Sequence, residues 1–197
     1  QFDANYTYSH SKDNNSSVAN TVFGGLICDL RDIDRCYGPS DFDIRHLVNV
    51  NGIWELPFGR GKAFGTNASG FVEQLIGGWQ ISGIYTYRSG LPFSTTNGSF
   101  PVGFVFDSPA VLTGNSNALL IGIDPNQSNV QFFADLDAAK AALRNPVGGE
   151  IGQRNNLRGP TFWNVDLGLA KSFRLPWEGH RIQLRADAFN AFNHNSF

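Results

Sequence analysis

The densest set of reactive side chains is Asp43-Ile44-Arg45-His46, an acid, a fixed cation and an imidazole in one short run. Convergent groups of these types do acid–base work. Successive residues of an extended chain leave opposite faces, so Arg45 and His46 cannot both attend one reacting atom. The run reads instead as the charged start of a strand near a rim. Gly59-Arg60-Gly61-Lys62 invites a phosphate-binding reading, but a P-loop needs an upstream Gly where Leu56 stands and Ser or Thr where Ala63 stands. A basic turn is the better account. Asp124, Asn126, Ser128 and Asp135 echo a calcium loop, yet Asn129 occupies the position that demands Gly, and Asp135 the one that demands Glu. His10, His46, His180 and His194 show no close pairing, and neither HExxH nor G-x-S-x-G occurs. No catalytic residue, metal site or cofactor is expected, and the chain is read as no enzyme.

Cys28 and Cys36 are the only cysteines. They pair plausibly as a short-loop disulfide in an oxidising compartment such as the periplasm or cell surface. Two unpaired thiols are the alternative, because spacing does not supply the required geometry.

The elements that carry these residues are strands. Trp163, Val165, Leu167 and Leu169 alternate with Asn164, Asp166, Gly168 and Ala170. After a turn with Pro176 and Gly179, Ile182, Leu184, Ala186 and Ala188 alternate with Arg181, Gln183, Arg185 and Asp187. A period of two marks strands, and the two runs read as an antiparallel hairpin. Similar alternations cover 2–9, 47–56 and 78–89. Residues 10–41 and 93–158 read as long loops, the second holding one helical signal, ADLDAAKAALRNP, with Asp135 as its N-cap and Pro146 as its stop.

With a formal net charge of -2 and 16% charged residues, nothing points to nucleic acid. No apolar run is long enough for a membrane-spanning helix, which leaves a membrane-spanning barrel open. Connections alternate: long (10–44), moderate (57–77), long (93–160), short (173–180). Outer-membrane barrels show this asymmetry, with short turns on the periplasmic side and long loops outside. The expected fold is all-β: antiparallel up-and-down strands forming a partial, unclosed transmembrane β-barrel, with long extracellular loops and one short helix in a loop.

Aromatic residues on the apolar register sort by height. Trp54 and Trp79 flank the moderate connection, Tyr87 and Trp163 the second long loop, and Tyr6 and Tyr8 lead into the first. Trp79 and Tyr87 lie eight residues apart. At a rise of ~3.3 Å and a tilt of ~45° this spans roughly 19 Å of the membrane normal, slightly inside a ~25 Å apolar band. Aromatic belts mark lipid interfaces. The polar register carries Arg88, Asp166, Arg181, Arg185 and Asp187, which in a barrel face the lumen, with Asp166 placed to pair with Arg185 or Arg181 across strands.

At FDIRH (42–46), WELPFGRGKAF (54–64), GGWQISGIYTYRSGLPF (77–93), RNNLRGPTFWNVDLGLAKSFRL (154–175) and RIQLRADAFNAFNHNSF (181–197), the chain resembles the C-terminal β-barrel region of TonB-dependent outer-membrane receptors of the Oar-like group. The resemblance implies a transporter in the bacterial outer membrane, energised through TonB, with a plug domain upstream and a final strand downstream of what 1–197 contains. It implies membrane lipid, plug and TonB as partners and a small-molecule, peptide or glycan substrate. Residues 1–197 are thus expected to be a segment of one barrel domain. Two other readings stand beside it: a soluble all-β carbohydrate-binding module presenting Trp79, Tyr85 and Tyr87, and a passive or adhesive outer-membrane barrel.

Overall fold

A computed structural model describes residues 1–16, 32–95, 109–119, 133–175, 177 and 179–195. In chain order the elements are β1 (Phe2–Tyr8), β2 (Lys12–Asp13), β3 (Gly38–Pro39), β4 (His46–Glu55), α1 (Gly70–Ile76), β5 (Trp79–Arg88), β6 (Pro92–Phe93), β7 (Val111–Leu112), α2 (Leu136–Ala142), β8 (Leu143–Arg144), β9 (Leu157–Arg158), β10 (Phe162–Arg174) and β11 (Arg181–Ala188). Short 3-10 turns occupy Ile33–Cys36 and Ser116–Leu119. Contacts divide the chain into a sheet unit (Gln1–Thr7, Leu47–Arg88, Phe162–Phe197) and a loop unit (Tyr8–His46, Ser89–Thr161).

Every alternating stretch becomes a strand of one five-stranded sheet, in the order β1-β4-β5-β10-β11. The pairings of β4 with β5, β5 with β10 and β10 with β11 are antiparallel, and reciprocal bonds between Gln1 and Ile53 add β1 to β4. Register aligns the apolar sets. Val48 opposes Tyr87 and Tyr87 opposes Trp163, while Val50, Tyr85 and Val165 make a second row. Directly opposed residues share a face, so one side of the sheet is apolar across its width and the other polar. Among the described residues, much of the apolar side is left uncovered: Phe2 is 75% exposed, Tyr6 63%, Trp54 52% and Leu184 62%. The sheet is open, with β1 and β11 at its edges.

Three features of this unit depart from the sequence reading. The connection after β4 contains α1, a helix too short to declare itself by periodicity, closed by a bond from the Gly77 N–H to Glu73 O. Gly78 follows at φ +71°, where an added Cβ would strike the Ser172 carbonyl, so only Gly makes this turn. Asp166 pairs with neither Arg185 nor Arg181. The register sets Arg185 opposite Ala170, and Arg185 instead reaches along its own strand to Asp187 at 2.8 Å. Asp166 accepts from the Asn164 amide (2.8 Å) and the Asn190 N–H (2.9 Å). The third is the stretch after β11, outside the alternating run, whose described part packs. Asn190 and Asn193 take positive φ (48° and 49°), and His194 stacks on Trp163 with ring centroids 4.0 Å apart. Asn tolerates that backbone region better than most residues.

In the loop unit, stretches read as loops contain paired short strands: β2 with β3, β6 with β9 and β7 with β8. Asp135 caps α2 as expected, accepting from the Ala138 N–H at 2.9 Å. The helix ends at Ala142, short of Pro146, because Leu143 and Arg144 turn to pair with Val111 and Leu112. Among the described residues of this unit, the buried apolar ones are mostly small (Cys36, Ala110, Leu119, Ala139 and Ala142).

Candidate functional site

The polar face of the sheet unit carries the residues assigned to a lumen. Arg88 and Phe162 stand opposite each other, with the guanidinium 4.8 Å from the ring centroid. Asp187 lies opposite Gly168 and Arg181 opposite Arg174, so Arg88, Asp166, Arg181, Arg185 and Asp187 all share one face. Tyr87, Trp163, Trp54 and Trp79 occupy the other face, and Tyr6 joins them through the bonded register of β1 on β4. Tyr8 meets His46, ring centroids 5.4 Å apart. Trp79 also donates from its indole nitrogen to Leu75 O at 2.9 Å.

The loop unit is organised by a carboxylate. The Asp43 side chain is fully buried. It accepts from the Ser11 N–H (2.8 Å), Arg45 Nε (3.0 Å) and Arg158 Nη2, and His10 Nδ1 lies 3.3 Å away. Arg158 also donates through Nη1 to Asp43 O (2.8 Å) and Gly90 O (3.1 Å). Burial by itself pushes the Asp43 carboxyl up. The donors from Ser11, Arg45, Arg158 and His10 outweigh it and hold the group well below the usual carboxylate range. The expectation of a simple charged rim is corrected here: Asp43 is a buried hub, and Arg45 serves it while His46 turns to Tyr8.

A second junction adjoins it in the same unit. Arg154 donates to Asp13 O (2.9 Å), Asp13 Oδ1 (2.7 Å) and Ser16 Oγ (2.5 Å), and contacts Asp41 Oδ1 at 3.3 Å. Asn155, at φ 53°, gives its amide to Pro39 O (2.8 Å) and Asp41 Oδ1 (2.6 Å), and its N–H to Ser94 Oγ (2.8 Å). Asp13 is raised by burial and lowered further by Ser16, Ser40 and Arg154, ending below its ordinary value. The segment 154–158 thus fastens the second long connection onto the first. Cys36, 1% exposed and disulfide-bonded, lies in the same region, where its carbonyl accepts from Arg154 at 3.4 Å. Cys28 lies outside the described residues, as do the loop positions 124–129 that echoed a calcium site.

Among the described residues, no group of three or more His, Cys, Asp or Glu side chains is placed to hold a metal ion. Asp13, Asp41, Asp43, Arg45, Arg154 and Arg158 are engaged with one another, and the sheet offers a wall with two unlike sides. The family model described as an outer membrane beta barrel domain matches residues 1–197. The chain belongs to that family. No curated protein and no solved structure matches it.

Membership in the barrel family places the protein in the bacterial outer membrane and makes the open sheet a section of a barrel wall. The soluble carbohydrate-binding alternative falls with this finding. Tyr85 and Tyr87 sit within the continuous apolar face, where a soluble module would need a second layer to shield their neighbours. The clamp was missed in the sequence. The signal available is the number of Asp and Arg residues in the two long connections (among them Asp13, Asp41, Asp43, Arg45, Arg154 and Arg158), but nothing local says which of them meet.

Proposed function

We propose that this barrel serves active, TonB-dependent uptake. Its polar face forms part of a lumen wall, its apolar face meets membrane lipid, and its clamped loops gather a small-molecule, peptide or glycan substrate. No bond-making chemistry is assigned to it. The observation that carries the lumen reading is the sorting of Arg88, Asp166, Arg181, Arg185 and Asp187 onto one face of a sheet whose other face is apolar and largely exposed. Such alternation is what a membrane barrel requires. Two features favour uptake over a passive pore. The blocks at 54–64, 77–93 and 154–175 resemble TonB-dependent receptors. The loops are also fixed by buried ion pairs, the kind of pre-organised platform that lowers the ordering cost of binding.

The test pairs two measurements on the whole protein as its cell makes it. Uptake by this route expects capture of the purified protein by the periplasmic domain of TonB, together with no steady ionic current in planar phospholipid bilayers. A steady ohmic current without TonB capture would give the protein to the passive alternative.

A further inference from the structure

Lys171 breaks the pattern of the apolar face. It lies opposite Trp79 on β5 and Leu184 on β11, in line with Leu169 and Phe173, on the side that the preceding section gives to lipid. A charged residue there is expensive unless sheltered. It is sheltered: Lys171 is 5% exposed, and its amine donates to Gly77 O and to Leu75 O (3.3 Å), with the rings of Trp79 and Phe173 at 5.1 and 5.2 Å. Those carbonyls belong to the last turn of α1 and its cap, the end of a helix that favours a cation. Lys171 therefore pins α1 to the apolar side of the sheet, at the end where Trp54 and Trp79 stand.

One side of α1 faces the protein. The Glu73 carboxylate accepts from the Arg60 N–H, and the Gln74 amide donates to Arg174 O at 2.8 Å. The other side holds Phe71, Val72 and Leu75, at helical spacing, exposed by 77%, 42% and 58%. These side chains continue the aromatic edge of the apolar face.

We propose that α1 is an in-plane membrane helix, resting with Phe71, Val72 and Leu75 at the boundary between acyl chains and headgroups of the periplasmic phospholipid leaflet. The proposal rests on the lipid assignment of the apolar face. Amphipathic helices bind at this depth by their apolar side, and here the neighbouring Trp54 and Trp79 mark the same level. Lys171 keeps the helix from lifting off the sheet. The partner is lipid, because the apolar triplet is continuous with the face that already meets lipid.

The experiment places a nitroxide label, one site at a time, at Phe71→Cys, Leu75→Cys, Leu167→Cys and Asn67→Cys in the whole protein reconstituted into phospholipid vesicles. Collision with oxygen and with a water-soluble nickel chelate then reports depth. Leu167, mid-strand on the apolar face, serves as the deep reference, and exposed Asn67 as the aqueous one. The expected result is a several-fold higher oxygen-to-nickel ratio at 71 and 75 than at 67, with both sites shallower than 167. Ratios at 71 and 75 equal to that at 67, with 167 still deep, would overturn the helix proposal and leave the barrel wall intact. Ratios equal to that at 167 would overturn it too, since the helix would then be in hydrocarbon. A water-like label at 167 would overturn the lipid assignment itself, and the proposal with it.

Discussion

In the sheet unit, Phe2, Tyr6, Trp54 and Leu184 stand more than half exposed, while in the loop unit Asp43 and Ser40 are sealed from solvent. A soluble domain does the opposite, hiding large apolar groups and exposing carboxylates. The sheet is held by its backbone ladder and by register, so its side chains are free to serve two unlike surroundings, a polar interior and an apolar exterior. Among its described residues the loop unit has only short strands and mostly small buried apolar side chains, and charge-assisted hydrogen bonds join Asp13, Asp41, Asp43, Arg45, Arg154, Asn155 and Arg158. Order in a barrel protein thus comes from two sources, and each has its own way of failing.

The sharpest way to separate them is to remove the hub. Asp43→Ala leaves Arg158 and Arg45 facing a buried gap, and losing one partner of a buried pair costs about 3–5 kcal/mol. Limited proteolysis of the purified protein in detergent should then cut faster within 8–46 and 89–161, while the β-type circular dichroism of the sheet persists. Unchanged cleavage would mean that the clamp contributes nothing to loop order. A blow to the sheet should do the reverse. Leu167→Arg puts a cation at mid-strand on the apolar face, which costs roughly 2–4 kcal/mol near a bilayer midplane. Folding into vesicles should weaken, whereas Thr86→Arg, on the polar face, should stay within about 0.5 kcal/mol of the parent.

Acid gives a graded version of the first experiment. A carboxyl whose folded value is depressed adds stability that is complete above the unfolded value of about 4 and is lost as pH falls toward the folded one. Asp43 and Asp13 are both depressed. Protease resistance of the loops should therefore hold from neutral pH down to about 4 and decline below it, and Asp43→Asn should flatten that decline. Loss of resistance between pH 7 and 5 would point to another group. The smallest effect is expected at Asp135→Ala, which removes the side-chain cap of α2 and should cost about 1 kcal/mol, read as faster hydrogen exchange confined to 136–142.

The sheet is legible in the sequence because a period of two is a local property: 2–9, 47–56 and 78–89 each declare both faces within one strand, with β1 and β5 inside those bounds and β4 starting one residue earlier, at His46. The Asp135 cap was legible for the same reason, since donor and acceptor lie three residues apart. The clamp was not, because Asp43 and Arg158 are 115 positions apart and no local pattern links them. The motif RNNLRGP carries the family likeness, and the fold makes its Arg154, Asn155 and Arg158 fasteners. The wrong pairing of Asp166 has a narrower cause. The faces were right, but the register of β10 on β11 differs by a few residues from the one that would bring Arg185 across. The helix α1 was hidden by its brevity and by the glycines on either side.

The fasteners around Asp43 and Arg154 sit at the bases of the two long connections, at 10–16, 36–45, 89–95 and 154–158. The helix α2 contributes none of them, so its sequence can be exchanged without touching a single one. For an engineer, the protein is a socket: a foreign recognition segment spliced in place of α2 would leave those fasteners intact, whereas a splice across 17–31 would delete Cys28, the chain's other cysteine, while Cys36 is disulfide-bonded.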